Sequence, residues 1–187
     1  IGKMKETRVA SRYAKSLITL AADRGELEMA YADMKLLAFT CTACHDLEIL
    51  LKSPIVIAEK KIAILSEIFK GKVSKLSMDF ITMIARKRRE NYLNDIAVEF
   101  LNQYKLHKNI VTAVVTTARG IDDDLRTAIQ NLVKKNFKAQ VELIEKENSA
   151  LIGGLILKVG DKQFDGSLKR KLKELSKKFS EKHFIAN

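Results

Sequence analysis

The sequence predicts an α+β protein: an N-terminal six-helix bundle followed by a small C-terminal α/β domain of order β-α-β-β-β-α. Three observations point there. Apolar residues recur at helical spacing through the first 106 residues. The period changes at His107-Lys108-Asn109, beyond which β-branched and alternating runs begin. One proline, no tryptophan, and 47% hydrophobic against 30% charged residues suit a folded, largely helical chain of 187 residues. Two domains are therefore expected, at 1–106 and 107–187.

The first helix carries Val9, Tyr13, Leu17 and Leu20 at helical spacing, with Ala10, Ala14 and Ala21 beside them, and ends at Gly25. A second runs from Glu26 to Cys44, with Leu36, Leu37 and Phe39 claiming the core, and a short third covers Asp46–Leu51. Ser53-Pro54 breaks the pattern, because the residue before proline avoids the helical region. Glu59–Phe69 is the fourth helix, with Ile62, Leu65 and Phe69 on one face and Gly71 as its stop. Leu76, Phe80, Met83 and Ile84 define the fifth, and Leu93, Ile96, Phe100 and Tyr104 the sixth.

In the second domain Ile110–Ala118 is β-branched and uninterrupted, which reads as a buried strand. Asp122–Asp124 and Lys134-Lys135 set negative charge at the start and positive charge at the end of a helix, in agreement with its dipole. Leu125, Ile129, Leu132 and Val133 form its apolar face. "AQVELIEKE" alternates as a half-exposed strand, and Ile152–Val159 supplies a third. Gly160-Asp161 is a two-residue hairpin turn leading to a return strand at Lys162–Asp165. Ser167 caps a final helix whose apolar face is Leu168, Leu172, Leu175 and Phe179. The basic residues Lys169, Arg170, Lys171, Lys173, Lys177 and Lys178 surround that face, as a solvated surface or one suited to an acidic helix.

The net charge is +11. It is spread evenly, with 18 basic against 13 acidic residues in 1–106 and 16 against 10 in 107–187. A basic balance alone suggests a nucleic-acid-binding adaptor, but no segment forms a dedicated basic arm. The run Arg86-Lys87-Arg88-Arg89 closes the fifth helix, where cations are favourable. No apolar run reaches membrane-spanning length, and Met4 is expected to be the native start, a processed organelle presequence being the alternative.

Cys41-Thr42-Ala43-Cys44-His45 matches the haem attachment spacing, but it falls in a helical pattern and is read as packing. Zinc is disfavoured because His107 and His183 are distant and no second cysteine pair accompanies the first. Gly153, Gly154 and Gly160 fit neither a phosphate loop nor a dinucleotide fingerprint. The expected role of Gly153-Gly154 is to bend a strand or let a helix approach closely. Asp161 and Asp165 flank the hairpin turn, so turn chemistry explains them more simply than an acid/base pair. No catalytic set, cofactor or metal is expected.

Four stretches carry a family resemblance. "ASRYAKSLITLA" (Ala10–Ala21), "LLKSPIVIAEKKIAIL" (Leu50–Leu65), "FITMIARKRRENYLNDIAVEF" (Phe80–Phe100) and "LIGGLILKVGDKQFDGSLKRKL" (Leu151–Leu172) resemble, in order, segments of the delta subunit of F-type ATP synthases. These are relatives of the mitochondrial oligomycin-sensitivity-conferring subunit. The last stretch resembles the family's C-terminal signature through Gly153, Gly154, Gly160, Asp161, Asp165 and Ser167. Ser16 departs from the family, which usually has a small apolar residue there. The resemblance implies a non-enzymatic stator linker between the catalytic head and the peripheral stalk. It implies that 1–106 holds the N-terminal helix of an alpha subunit and that 107–187 meets the C-terminal helices of the b subunits. The expected groove for the alpha helix is formed by Tyr13, Ala14, Leu17, Phe80, Ile84 and Arg89, the last placed as the family's arginine. No small-molecule substrate or nucleic acid is implied. Membrane association is expected only through the complex, on the cytoplasmic face of a bacterial inner membrane.

Overall fold

The computed structural model describes residues 2–137 and 139–183, and their side chains except at 2–7, 178 and 180–183. The side chains of Met4 and Lys178 thus lie outside those described. The chain is α+β and divides into two compact units, residues 1–107 and 108–187.

The first unit contains α1 (Gly2–Asp23), α2 (Leu27–Ala43), α3 (His45–Lys52), α4 (Ala58–Phe69), α5 (Lys75–Arg86), a 3-10 turn (Glu90–Tyr92) and α6 (Leu93–His107). Helix α6 is its spine: Leu93, Ile96, Ala97 and Phe100 are wholly buried, and α1 and α2 pack along it. On α1 the buried face is Ala10, Ala14, Leu17, Ile18 and Ala21, while Leu20 is exposed. The face is thus rotated from the one its largest residues suggest. Small side chains allow the short interaxial distance that the contact with α6 requires.

Two further expectations are corrected on α2. Its core stripe is Ala30, Met34, Leu37 and Cys41, and Phe39 is 69% exposed. Phe39 lies two positions from Leu37, about 200° around the helix, so it faces outward however apolar it is. The helix also ends one residue before Cys44, which is extended and exposed.

Two long-range polar contacts hold α2. Buried Asp33 accepts hydrogen bonds from the Ser74 amide (3.0 Å) and hydroxyl (2.6 Å), and Ser74 itself caps α5 by accepting from the Ser77 amide. Nearer the start of the helix, Tyr104 of α6 stacks on Tyr31 at 4.2 Å and donates to Glu28 at 2.5 Å. Burial and the adjoining Glu28 carboxylate push the Tyr104 phenol from 10.0 up to about 12. Burial, with Cys44 nearby, pushes the Cys41 thiol from 9.0 up to about 11.

Both groups therefore keep in the folded state a proton that the unfolded chain releases at its ordinary pKa. Their stabilisation is fully present below pH 9.0 and is lost across 9.0 to about 11 for Cys41 and 10.0 to about 12 for Tyr104. These two groups leave the urea midpoint unchanged from neutral pH to 9.0, and it is expected to fall above pH 9.0. Tyr104→Phe removes the upper part of the fall, which urea titrations at stepped pH will read out.

The second unit has the order β1 (Ile110–Thr117), α7 (Asp123–Phe137), β2 (Gln140–Glu147), β3 (Leu155–Val159), β4 (Lys162–Asp165) and α8 (Leu168–His183). The sheet order is β2-β1-β3-β4, with β1 parallel to β2 and antiparallel to β3. Helix α7 is the crossover that lets β1 and β2 run parallel. The core gathers Ala113, Val115, Ile129, Val133, Leu157 and Val159. Strand β1 is fully buried only at alternate residues, Ala113, Val115 and Thr117, although its sequence reads as buried throughout. The α7 face is likewise narrower than expected: Ile129 and Val133 are buried, while Leu125 and Leu132 are exposed.

Candidate docking site

The α1–α5 site begins with a helix end. Helix α5 closes with the Arg89 amide bonded to the Ile84 carbonyl and the Arg88 amide bonded to the Ala85 carbonyl. This is a Schellman pattern, and Arg88 occupies the left-handed position that usually falls to glycine, at φ 56°. A side chain there costs about 1–2 kcal/mol. The turn aims Arg89 back at α1: its guanidinium donates to the Tyr13 hydroxyl at 3.0 Å and stands 5.6 Å from the centre of the Tyr13 ring. Tyr13 meets Phe80 edge-on, with ring centres 6.5 Å apart.

The structure thus brings Tyr13, Phe80 and Arg89 into one cluster. Ala14, Leu17, Phe80 and Ile84 are buried, Tyr13 is half-buried and Arg89 is exposed. Of these six side chains Tyr13 and Arg89 are therefore the ones solvent reaches. Ser16 is exposed and its hydroxyl donates to the Arg12 carbonyl in its own helix.

A second polar centre lies nearby in the same unit, and periodicity did not reveal it. Lys61 of α4 is 2% exposed; its ammonium donates to Glu90 Oε1 at 2.7 Å and to the Leu51 carbonyl at 2.9 Å. Glu90 is 8% exposed, and its Oε2 has no hydrogen-bond partner. One lysine thus ties the end of α3 and the 3-10 turn to α4. A sequence signal existed: Lys61, Leu65 and Phe69 share one face at four-residue spacing.

In the second unit the signature residues form a junction. The Leu168 amide donates to the Gly153 carbonyl at 3.0 Å and the Gly166 amide to the Leu155 carbonyl at 2.9 Å. Gly154 has φ 80°, and a Cβ there would lie 2.4 Å from the Gly166 carbonyl oxygen. The start of α8 is therefore pressed against bare backbone. This also corrects the third strand, which begins at Leu155 rather than Ile152, because the Gly153 carbonyl is spent on α8.

Gly160-Asp161 is the turn between β3 and β4, and Gly160 takes the positive φ of 56°. Asp165 Oδ1 accepts from the Ser167 amide at 2.9 Å, and Ser167 Oγ accepts from the Arg170 amide at 3.3 Å. The bonds from Ser167, aided by Arg170, hold the Asp165 carboxyl below its usual range. Asp161 and Asp165 thus serve the turn and the helix cap respectively. Beyond the cap, Leu168, Leu172, Leu175 and Phe179 are all exposed along α8.

In the cysteine motif, Cys41 is buried in α2, Cys44 is exposed and His45 opens α3. Among the described residues no group of three or more His, Cys, Asp or Glu is placed to hold a metal ion.

The chain is thus built of two compact units, one all helical and one organised on a four-stranded sheet. The sequence pattern of the ATP synthase delta (OSCP) subunit family matches residues 9–179. ATP synthase subunit delta of Cytophaga hutchinsonii is 40% identical over 178 residues, covering 95% of this chain and 97% of that one. The subunit delta of Amoebophilus asiaticus is 36% identical over 175 residues, covering 92% and 95%. A chain in the cryo-EM structure of the Toxoplasma gondii mitochondrial ATP synthase hexamer shares the fold, with a TM-score of 0.69 at 20% identity, covering 91% of this chain and 96% of that one. The chain belongs to the ATP synthase delta (OSCP) subunit family, a stator component of the F-type enzyme's peripheral stalk. It is a structural subunit, and the catalysis of the complex lies in other subunits. No described helix is long and apolar enough to cross a membrane. The nucleic-acid reading of the net charge finds no support in these comparisons.

Proposed function

We propose that residues 1–106 form a six-helix receiving domain for the N-terminal helix of an alpha subunit, and that 107–187 meets the C-terminal helices of the b subunits. The chain then links the catalytic head to the stalk and resists rotor torque during proton-driven ATP synthesis, on the cytoplasmic face of a bacterial inner membrane. The guest helix lies across Tyr13 and Arg89, above Ala14, Leu17, Phe80 and Ile84. The observation that supports this reading is the Tyr13–Phe80–Arg89 cluster, an aromatic and guanidinium surface of the kind that dominates binding energy. Helices α1 and α5 are bridged there by side chains, while α1 packs on α6 and α5 on α4.

The test is a fluorescence titration of the full chain with the labelled N-terminal peptide of the cognate alpha subunit. Saturable binding is expected, weakened about tenfold or more by Arg89→Ala, equivalent to ~1.4 kcal/mol. Absence of saturable binding, or full affinity in the variant, overturns this assignment of the groove.

A further inference from the structure

A cavity of about 610 Å³ opens between the α3–α4 loop and the end of α5, apart from the Tyr13–Arg89 cluster. Its apolar wall includes Ile55 and Ile57, which are 91% and 60% exposed. Pro54 stiffens this loop by fixing its own φ and restricting Ser53. Its charged wall holds Arg86 and Arg88. The other charges lining it are largely neutralised: Lys61 is bound to Glu90, Lys52 is paired with Glu48, and Glu59 is the remaining carboxylate. Neither arginine has an ion-pair partner among the described residues. Arg88 moreover stands at the left-handed position where glycine would relieve the backbone. Local backbone geometry therefore favours glycine at 88, yet this chain carries a guanidinium there.

We propose that this cavity is a second docking site, for an acidic peptide segment of a partner protein that carries aliphatic side chains. Two guanidinium groups opposed by a single carboxylate select carboxylates. The exposed isoleucines lining the same cavity select apolar side chains on the same segment. A small inorganic anion would leave that apolar wall uncovered.

Because glycine fits the backbone at 88, Arg88→Gly removes the charge and relaxes the fold together. Loss of binding in that variant cannot come from unfolding. The experiment uses the full chain and a short fluorescein-labelled peptide of leucine and glutamate, with a leucine–lysine peptide as control. Saturable binding of the acidic peptide alone is expected, weakening with added salt. Arg88→Gly is expected to bind at least about fivefold more weakly while melting about 4 °C or more higher. Ile55→Ser should also weaken binding, and Arg89→Ala should leave it unchanged. The proposal is overturned if the acidic peptide does not bind, if the basic peptide binds equally, or if Arg88→Gly retains full affinity. Equal weakening by Arg89→Ala would place the peptide on the α1–α5 groove and also overturns it. Failure here leaves the alpha-subunit titration unaffected, since the two tests use different probes and different arginines.

Discussion

Replacing Lys61 with alanine lowers the stability of the chain by about 3–5 kcal/mol, the largest effect expected in the helical unit. The ammonium is 2% exposed and holds two elements at once, the Leu51 carbonyl at the end of α3 and Glu90 in the 3-10 turn. Without it the Glu90 carboxylate remains buried with neither oxygen partnered, since Oε2 already lacks a hydrogen bond. A buried, uncompensated charge costs far more than the pair contributes. The double variant Lys61→Met/Glu90→Leu therefore recovers most of the loss, short of the bond to the Leu51 carbonyl. Urea unfolding of the two variants, read by helical circular dichroism, checks this. Equal stability of Lys61→Ala and the unsubstituted chain would show that the pair carries no structural role.

Gly154→Ala is expected to destabilise the second unit by about 2–5 kcal/mol. Two causes add. The backbone at 154 has φ 80°, where an L side chain is strained. The new Cβ also meets the Gly166 carbonyl oxygen at 2.4 Å and the Ser167 Cα at 3.0 Å, both of them backbone that moves only if α8 moves. A small unit has little surplus to absorb this. Gly153→Ala is the matched control: its Cβ meets only the far end of the Leu168 side chain, at 2.8 Å, which can rotate away. Limited proteolysis is expected to cut near the start of α8 in Gly154→Ala, and to leave Gly153→Ala largely intact.

The two substitutions also show how much was legible in advance. The glycine pair, the Gly160-Asp161 turn and the Ser167 cap were readable because each acts within a few residues of itself. The close approach between Gly154 and Gly166 follows from the same short segment folding back, so a helix contact was foreseeable, although the strand start was misplaced by three residues. The candidate groove was readable only as an apolar stripe. That Tyr13 and Arg89 form its surface while Leu17 and Ile84 lie beneath depends on which way α1 and α5 are turned by α6 and α4.

Sequence by itself determined the helices and strands of this chain, their order and the change of architecture near residue 107, because periodicity and capping are local properties of neighbouring residues. Only the tertiary structure decided that Lys61 meets Glu90, that Asp33 holds Ser74 and that Arg89 reaches Tyr13. These partners lie 29, 41 and 76 residues apart. Nothing in a local pattern says which of many charged side chains will be carried together when the apolar faces pack.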